Sequence, residues 1–153
     1  MNAAASPDQM ASFAALLRSA LGDNLAPTAN SFVEMMAEDG VMEFPYISAG
    51  EPMRLHGRDA VRQHLASLAG LIEIHSFHDL IVHPSQTAGV FILQMQCTGT
   101  AVTTGLPYNQ RYISVITIAE GHIVNYLDYW NPLVVAAALG ELPSAWKSEG
   151  VPS

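Results

Sequence analysis

The chain has 153 residues and a formal net charge of −8, and it is half hydrophobic and only 13% charged, which fits one folded domain and excludes a disordered chain. Its six basic residues include one cluster, Arg54, Arg58 and Arg62, whose spacing is typical of a solvated helix face, so we expect no nucleic-acid partner. The single cysteine, Cys97, excludes an intramolecular disulfide and a multi-cysteine metal site.

The N-terminal residues and the hydropathy of the chain predict where the protein is located. The stretch MNAAASPDQM lacks the basic and apolar segments of a signal peptide. No later run approaches the ~20 apolar residues that a membrane span needs. We therefore expect a cytoplasmic protein with no membrane partner.

Helical periodicity dominates the first half of the chain and predicts three helices, over residues 7–21, 29–36 and 58–69. Ser6 and Pro7 mark the start of the first helix, and Gly22 marks its end. Between the second and third helices, the stretch VMEF (41–44) predicts a short strand, and the Pro and Gly residues that follow it predict a loop.

After residue 70 the period changes from helical to extended, which predicts four long strands, over residues 72–82, 89–100, 108–119 and 122–130. Glu120 and Gly121, between the last two strands, predict a tight hairpin because glycine tolerates positive φ. Asn131 and Pro132 predict the start of a final short helix that ends at Gly140.

Helices followed by a run of antiparallel strands indicate an α+β fold. A curved antiparallel sheet wrapped by three N-terminal helices would form a cone with an internal pocket. The predicted strands are longer than the usual ~5–6 residues, which suits a sheet that curls around such a pocket. We predict a single domain over residues 1–153, with its core over about 10–140 and a loosely held tail over 141–153.

Four stretches, in this order, resemble the nuclear transport factor 2-like superfamily and, within it, the SnoaL-like group of small cyclases and isomerases. They are VMEFPY after the second helix, HGRDAVRQHL in the third helix, LPYNQRYISVITIAEGHI across the last hairpin, and LDYWNP at its end. The resemblance covers about residues 10–140 and implies the conical, cystatin-like fold. It leaves function open, because one scaffold of this kind hosts enzymes, binding modules and dimerisation domains.

Residues that match functional positions of the superfamily narrow the choice of activity. Steroid isomerases of the superfamily have a catalytic aspartate after the second helix, where this chain has Phe44, which cannot transfer a proton. Related epoxide hydrolases use an Asp-Arg-Asp triad, of which Arg111 and Asp128 match two members while Ile113 leaves the triad incomplete. The stretch Asp128-Tyr129-Trp130-Asn131-Pro132 is similar to phenazine-biosynthesis A/B proteins, in which a glutamate at the first position acts as acid and base.

Asp128 is the one carboxylate in the last predicted strand and our candidate catalytic residue. Side chains alternate along a strand, which places Tyr126, Asp128 and Trp130 on one face. If that face lines the pocket, loss of water would raise the pKa of Asp128 from ~3.9 and suit it to proton transfer near neutral pH. Otherwise Asp128 is an acid on the outer face or an ion-pair partner of Arg111, and Arg111 itself is a candidate either for an ion pair or for substrate anchoring.

Other polar and aromatic side chains are candidates for binding a substrate beside Asp128. Tyrosine hydroxyls and glutamine amides can donate to a developing oxyanion, although each tyrosine taken singly also fits a packing role. The candidate substrate-binding residues are Phe44, Tyr46, His75, Gln94, Gln96, Tyr108, Arg111, Tyr126 and Trp130.

The histidines do not show metal-ligand spacing. His75 and His78 are three residues apart on a predicted strand, so they should lie on opposite faces, and either is a candidate for a second acid/base group. Zinc needs three or four converging ligands. The sequence also contains no nucleotide-binding glycine motif and no G-x-S-x-G motif. We therefore expect no metal and no cofactor.

Two functions of different classes remain open. The first is a cofactor-independent acid/base enzyme, isomerase-like or cyclase-like, acting on a small, largely apolar metabolite that carries a carbonyl group. The second is a non-catalytic module that binds a small-molecule ligand or serves in dimerisation. In either case the aliphatic and aromatic residues Ile113, Val115, Leu127 and Tyr129 predict a homodimer through the outer face of the sheet.

Overall fold

The computed structural model describes residues 7–141, which form four helices and one six-stranded sheet. The helices are α1 (Pro7–Leu21), α2 (Phe32–Met35), α3 (Arg58–Ala69) and α4 (Pro132–Ala138), with a 3-10 turn over Gly22–Asn24. The strands are β1 (Met36–Phe44), β2 (Met53–His56), β3 (Ile72–Pro84), β4 (Val90–Ala101), β5 (Pro107–Ala119) and β6 (His122–Trp130). The predicted cap Ser6 and the predicted tail beyond residue 141 lie outside the described residues. Within them, each helix is too short or too polar to cross a bilayer.

Helix α2 is a single turn that lies inside the predicted helix over 29–36, so the prediction was right about its position and wrong about its length. Ser31 caps this turn by accepting a hydrogen bond from the Glu34 N–H at 3.1 Å. From Met36 onward the chain is extended and hydrogen-bonds to strands on both sides. The apolar residues of this segment fit the spacing of a helix as well as that of a strand. Backbone pairing with β2 and β6 makes the segment a strand.

The sheet has the order β2-β1-β6-β5-β4-β3 and is mixed rather than wholly antiparallel as predicted. Strands β3 to β6 form the expected antiparallel run, whereas β1 pairs with β6 in parallel. Parallel neighbours cannot be joined by a tight turn, and here nearly the whole domain separates the two strands. Strand β2, an antiparallel partner of β1 in a region without a predicted element, was not foreseen.

The hairpin between β5 and β6 turns at the two predicted residues, Glu120 and Gly121. Glu120 and Gly121 have φ angles of 53° and 81°, the pair of positive values that a two-residue type I′ turn requires. At the other end of β6, the Asn131 side chain accepts a hydrogen bond from the Leu133 N–H at 2.9 Å, and Pro132 begins α4. The predicted hairpin and final helix are both confirmed.

Bulges interrupt strands β3 and β6 and change which side chains face inward. On β3, His75 is an extra residue in the pairing with β4, and a second bulge at Asp79 has a φ of 55°. On β6, Val124 is the extra residue in the pairing with β5. A bulge bends its strand and increases the local twist, so these features contribute to the curvature of the sheet.

The first three helices pack on the concave face of the sheet and form the main core with it. Leu17 and Leu21 on α1, Phe32 on α2, and Ile116 and Ile123 on the sheet are each no more than 1% exposed. Complete burial of side chains of this size contributes about 1.5–3 kcal/mol each. Regular alternation along β6 would place Ile123 on the outer face with Leu127 and Tyr129, and the bulge at Val124 explains why it faces the core instead.

Arg18 holds the connection between α1 and α2 in place. Its guanidinium donates hydrogen bonds to the carbonyl oxygens of Gly22, Leu25, Ala26 and Ala29 at 3.3, 3.1, 2.8 and 2.6 Å. Arginine offers five donors in a rigid plane, which lets one side chain satisfy several carbonyls of an irregular segment.

We predict that Arg18→Met lowers the free energy of unfolding by about 2–4 kcal/mol, because several part-buried carbonyls would lose a charged donor. Arg62→Met is the matched control: Arg62 is exposed on α3 and pairs with Asp59, so its loss should be below ~1 kcal/mol. Urea denaturation of both variants provides the comparison, and equal losses would contradict the role given to Arg18.

Candidate active site

A cavity of about 130 Å³ lies between the concave face of the sheet and helices α1, α2 and α3. Its walls are mainly apolar and include Phe13, Phe32, Phe44 and Phe77. Leu68 on α3 lines the cavity and is also 40% exposed, which marks the opening to solvent. The polar side chains that line it are His64, Tyr108, Tyr112, Tyr126 and Asp128.

Asp128 reaches this cavity from β6 without a partner in the described part of the chain. Its side chain forms neither a hydrogen bond nor an ion pair with any residue in that range. Among the described residues, every side-chain nitrogen or oxygen atom that is fully shielded from solvent has a hydrogen-bond partner. The carboxyl oxygens therefore have accessible surface, and because Asp128 lines the cavity, we conclude that this surface faces the cavity.

Burial raises the pKa of Asp128 to about 7. The charged form of Asp128 is poorly hydrated in this apolar space, which favours the protonated form. The described lining residues include no lysine or arginine that would lower the pKa again. Asp128 is half-buried by surface area and lines the cavity. At neutral pH the group therefore exists in both protonation states.

Two tyrosine hydroxyls, from Tyr108 and Tyr112 on β5, lie 3.2 Å apart at the wall of the cavity. Burial is the main cause that raises the pKa of Tyr108 to about 12, so its hydroxyl stays protonated and can donate a hydrogen bond. Beneath them Gln110 is 1% exposed, and its amide nitrogen lies 3.4 Å from the Tyr108 hydroxyl. The hydroxyl of Tyr126 on β6 bonds to Ser114 at 2.9 Å.

His64 on α3 is a further ionisable group at the cavity. Its ring stacks against Phe44 with a centroid distance of 4.8 Å. Burial lowers its pKa, so the neutral imidazole is favoured at pH 7. A neutral ring in this position adds little charge to the surroundings of Asp128.

Four of the predicted site residues meet in this cavity: Asp128, Phe44, Tyr108 and Tyr126. Tyr112, Gln110 and His64 were missed. The signal for the first two was the alternation of polar residues along YNQRYIS, since Tyr108, Gln110, Tyr112 and Ser114 fall at every second position of β5. Nothing in the sequence singles out His64, because only the packing of α3 brings it to the cavity.

Five other predicted residues line a second depression, which includes outward-facing positions of the sheet: Tyr46, Gln94, Gln96, Arg111 and Trp130. Gln94 and Gln96 alternate on β4 with the buried Leu93, Met95 and Cys97, so they point away from the first cavity. Trp130, the predicted neighbour of Asp128, packs against the core beside this depression. These residues do not line the cavity that holds Asp128.

Arg111 alternates on β5 with the inward-facing Gln110 and Tyr112, so it lies on the opposite face of the sheet from Asp128. The two form no ion pair. The Asp-Arg-Asp arrangement of epoxide hydrolases is therefore not assembled in this cavity. Two arginines of the cluster Arg54, Arg58 and Arg62 have structural partners. Arg54 lies on β2 rather than on the predicted helix face and pairs with Glu43 at 3.1 Å, and Arg58 donates to the Met36 carbonyl.

His75 and His78 both lie outside the cavity, in contrast to the prediction that they occupy opposite faces. His75 contacts the Thr100 hydroxyl at 3.2 Å, and His78 contacts the Thr98 hydroxyl at 3.0 Å. The bulge at His75 shifts the alternation of β3 and brings both rings to the same side. Within residues 7–141, side chains of His, Cys, Asp and Glu form no group of three that could hold a metal ion.

Comparison with known proteins links this chain to one family. The sequence profile of the SnoaL-like domain matches residues 20–126. The uncharacterised protein YesE of Bacillus subtilis is 40% identical over 124 residues, which cover 81% of this chain and 84% of that protein. An uncharacterised PhzA/B-like protein of Pseudomonas aeruginosa is 30% identical over 119 residues, or 78% of this chain and 84% of the relative.

Solved structures agree with the fold. A Bacillus subtilis protein with a provisional isomerase name superposes with a TM-score of 0.70 at 38% identity, over 92% of this chain and 97% of its own. Less similar structures, below 20% identity, include proteins with ketosteroid isomerase-like and NTF2-like folds and show the fold alone. The predicted α+β cone is thus confirmed, with the parallel β1–β6 pair as a correction.

We predict that the Asp128→Asn variant is more stable than the natural protein at and above neutral pH. In the unfolded chain the carboxyl ionises near pH 4, whereas in the fold it ionises at about pH 7. Between these values the folded state holds the extra proton, so the natural protein loses stability as pH rises through this window. At about 1.4 kcal/mol per pKa unit, the upper limit of the difference is ~4 kcal/mol.

Thermal unfolding from pH 4.5 to 8.5 tests this expectation. The difference in Tm between Asp128→Asn and the natural protein should grow up to about pH 7 and level off above it. Asp39→Asn removes an exposed carboxylate from β1 and is the control. A large destabilisation by Asp128→Asn at all pH values would instead assign the carboxylate a structural role.

Proposed function

Because the chain belongs to the SnoaL-like domain family, we propose that it is a cofactor-independent acid/base enzyme, an isomerase or cyclase acting on a small, largely apolar metabolite with a carbonyl group. Asp128 is the base that first removes a proton and the acid that later returns it. The observation that carries the proposal is the carboxyl of Asp128, which has no partner among residues 7–141, lines an apolar cavity and has a pKa raised to about 7 by burial.

A pKa near the working pH suits a single group to both halves of a proton transfer. As a carboxylate, Asp128 takes a proton from the carbon next to the substrate carbonyl. The C–H electron pair then forms a carbon–carbon double bond, and the carbonyl π pair moves to oxygen, which gives an enolate. In a β,γ-unsaturated substrate the enolate is conjugated with the existing double bond, so the neutral Asp128 can return the proton to the γ-carbon. The double bond then lies between the α- and β-carbons, and the carbonyl is restored.

Cyclisation begins with the same step. The enolate carbon attacks a second carbonyl of the same molecule and forms a carbon–carbon bond. The electron pair of that carbonyl moves to its oxygen, which receives the proton from Asp128. Neither route changes the oxidation state of the substrate as a whole, so neither requires a redox cofactor.

The cavity limits the size and charge of the substrate. An apolar cavity of about 150 Å³ accommodates benzene, so the volume here, about 130 Å³, is room for one six-membered ring, with further substituents directed towards the opening at Leu68. The described lining contains no lysine or arginine to compensate a carboxylate or phosphate. We therefore propose a neutral substrate.

A non-catalytic ligand-binding module would use the same cavity. The apolar walls would hold a neutral ligand in either case, so the two functions differ only in whether Asp128 moves a proton. The raised pKa favours the enzyme, because perturbed acids concentrate at catalytic sites.

Turnover of a cyclic β,γ-unsaturated ketone, followed by the ultraviolet absorbance of the conjugated product, tests the function. We expect kcat to rise with pH through about 7 as Asp128 ionises. Asp128→Asn should lower kcat by about 10²–10⁴-fold, because general acid/base catalysis typically contributes that much. The variant should still bind the ketone.

Asp79→Asn is the matched control, since Asp79 lies outside the cavity at a positive φ that asparagine tolerates. It should leave kcat unchanged. Full turnover by Asp128→Asn would contradict the catalytic role. Tight ketone binding without turnover by the natural protein would favour the ligand-binding module.

The outer face of the sheet supports a second proposal, that the protein is a homodimer. Ile113 is 45% exposed and Ile81 is 51% exposed on this face, and the half-buried Tyr129 stacks edge-on against Tyr46 at 5.2 Å. Apolar side chains on an open sheet face are stabilised when a second copy covers them.

We predict that the natural protein elutes as a dimer at micromolar concentration in size-exclusion chromatography and that Ile113→Asp shifts it to monomer, because a charge would be desolvated in the interface. Leu133→Asp is the control: Leu133 is 43% exposed on α4, a helix that packs on the inward-facing Cys97 and Tyr108, and the substitution should leave the dimer intact. A monomeric natural protein would remove the proposal.

A further inference from the structure

We propose that Tyr112 donates the hydrogen bond that stabilises the negatively charged substrate oxygen, and that Gln110 positions this donor through Tyr108. The inference rests on the proposed function and extends it by a second group that touches the substrate. Its basis is a chain of hydrogen bonds whose direction is fixed at one end by the protein backbone.

The chain begins at Gln110, whose amide has only one orientation. Its Oε1 accepts from the backbone N–H groups of Arg111 at 3.1 Å and Asn131 at 2.9 Å. A backbone N–H can only donate, so the oxygen must face these two groups. The Nε2 then donates to the Asn131 carbonyl at 3.0 Å and to the Tyr108 hydroxyl at 3.4 Å.

The direction continues from Tyr108 to Tyr112. Since the Tyr108 oxygen accepts from Gln110, its own proton is free for the Tyr112 oxygen, 3.2 Å away. The Tyr112 proton then has one nearby protein partner, the Cys97 sulfur at 3.6 Å. Sulfur is a weak acceptor, and burial raises the pKa of Cys97, so this thiol stays neutral. A charged oxygen in the cavity would be a much better acceptor.

Tyr112 and Asp128 stand on the same inner face of neighbouring strands. Ser114 is the direct partner of Asp128 in the β5–β6 register, which makes Tyr112 its diagonal neighbour. Diagonal positions on one face are about 7–8 Å apart. That separation leaves room for a substrate whose carbonyl oxygen meets Tyr112 while the adjacent carbon meets Asp128.

Tyr112 would donate without losing its proton. Burial, followed by its neighbours Tyr108 and Cys97, raises the pKa of Tyr112 well above 10. A donor that keeps its proton, already oriented in a cavity with little water, stabilises a developing oxyanion without reorganisation. The Tyr126 hydroxyl is less suited, because it bonds to the buried Ser114.

A binding experiment with para-nitrophenol tests the inference without requiring turnover. The ionised form, which absorbs in the visible range, mimics the enolate, and nitrobenzene is the uncharged control ligand. In an Asp128→Asn background, which removes the competing charge, adding Tyr112→Phe should weaken nitrophenolate binding about 10-fold or more and leave nitrobenzene binding unchanged. Equal nitrophenolate affinity with and without Tyr112→Phe would overturn the proposal.

Kinetics with the cyclic ketone give the second readout. Tyr112→Phe alone should lower kcat by about 10²-fold or more with little change in KM, as expected for a donor used mainly in the transition state. Tyr129→Phe, on the outer face, is the matched control and should not change kcat. Full turnover by Asp128→Asn would refute the proposed function, whereas full turnover by Tyr112→Phe beside an inactive Asp128→Asn would refute only this inference.

Gln110→Glu tests the positioning role separately. A glutamate can accept but, when ionised, cannot donate to Tyr108, so the chain should reverse and Tyr112 should point to Tyr108. We expect a loss of nitrophenolate affinity comparable to that of Tyr112→Phe. Tyr108→Phe provides a second variant if Gln110→Glu does not fold: it interrupts the chain and should cause a smaller loss, several-fold. No loss in either folded variant would remove Gln110 from the proposal.

Discussion

A carboxyl group that lines an apolar cavity and has no partner in the described part of the chain is the constraint on which the rest of this structure depends. The charged form of Asp128 is poorly solvated there, and its pKa rises to about 7 as a result. The fold tolerates this cost because burial of the side chains around α1, α2 and the sheet supplies stability elsewhere. A similar cost of buried charge at active sites is a common source of reactivity.

The two faces of the sheet keep opposite charges apart. Strand alternation places Arg111 on the outer face and Asp128 on the inner face, although the two residues lie on neighbouring strands. An arginine within reach would hold the pKa of Asp128 low and leave it ionised at neutral pH. Because Arg111 lies in the outer depression with Gln94 and Gln96, its charge is kept away from Asp128, and the pKa of Asp128 stays high.

The five residues Asp128-Tyr129-Trp130-Asn131-Pro132, where β6 ends and α4 begins, have several roles. Asp128 supplies the acid, and the Asn131 side chain caps α4. The backbone of Asn131 pairs with both ends of the Gln110 amide, which links the end of β6 to the tyrosine pair on β5. The junction between β6 and α4 therefore also orients the hydroxyl groups of Tyr108 and Tyr112 through Gln110.

The sequence by itself determined the α+β class, the last hairpin, the final helix, and the location of Asp128 among aromatic residues, because period, turn residues and caps act locally. Tertiary structure alone decided that β1 replaces most of the second helix and pairs in parallel with β6, since backbone pairing between distant segments leaves little local signal. It also decided that bulges send His75 and His78 outward. One extra residue reverses the alternation beyond it, so a strand pattern without its partner cannot assign faces.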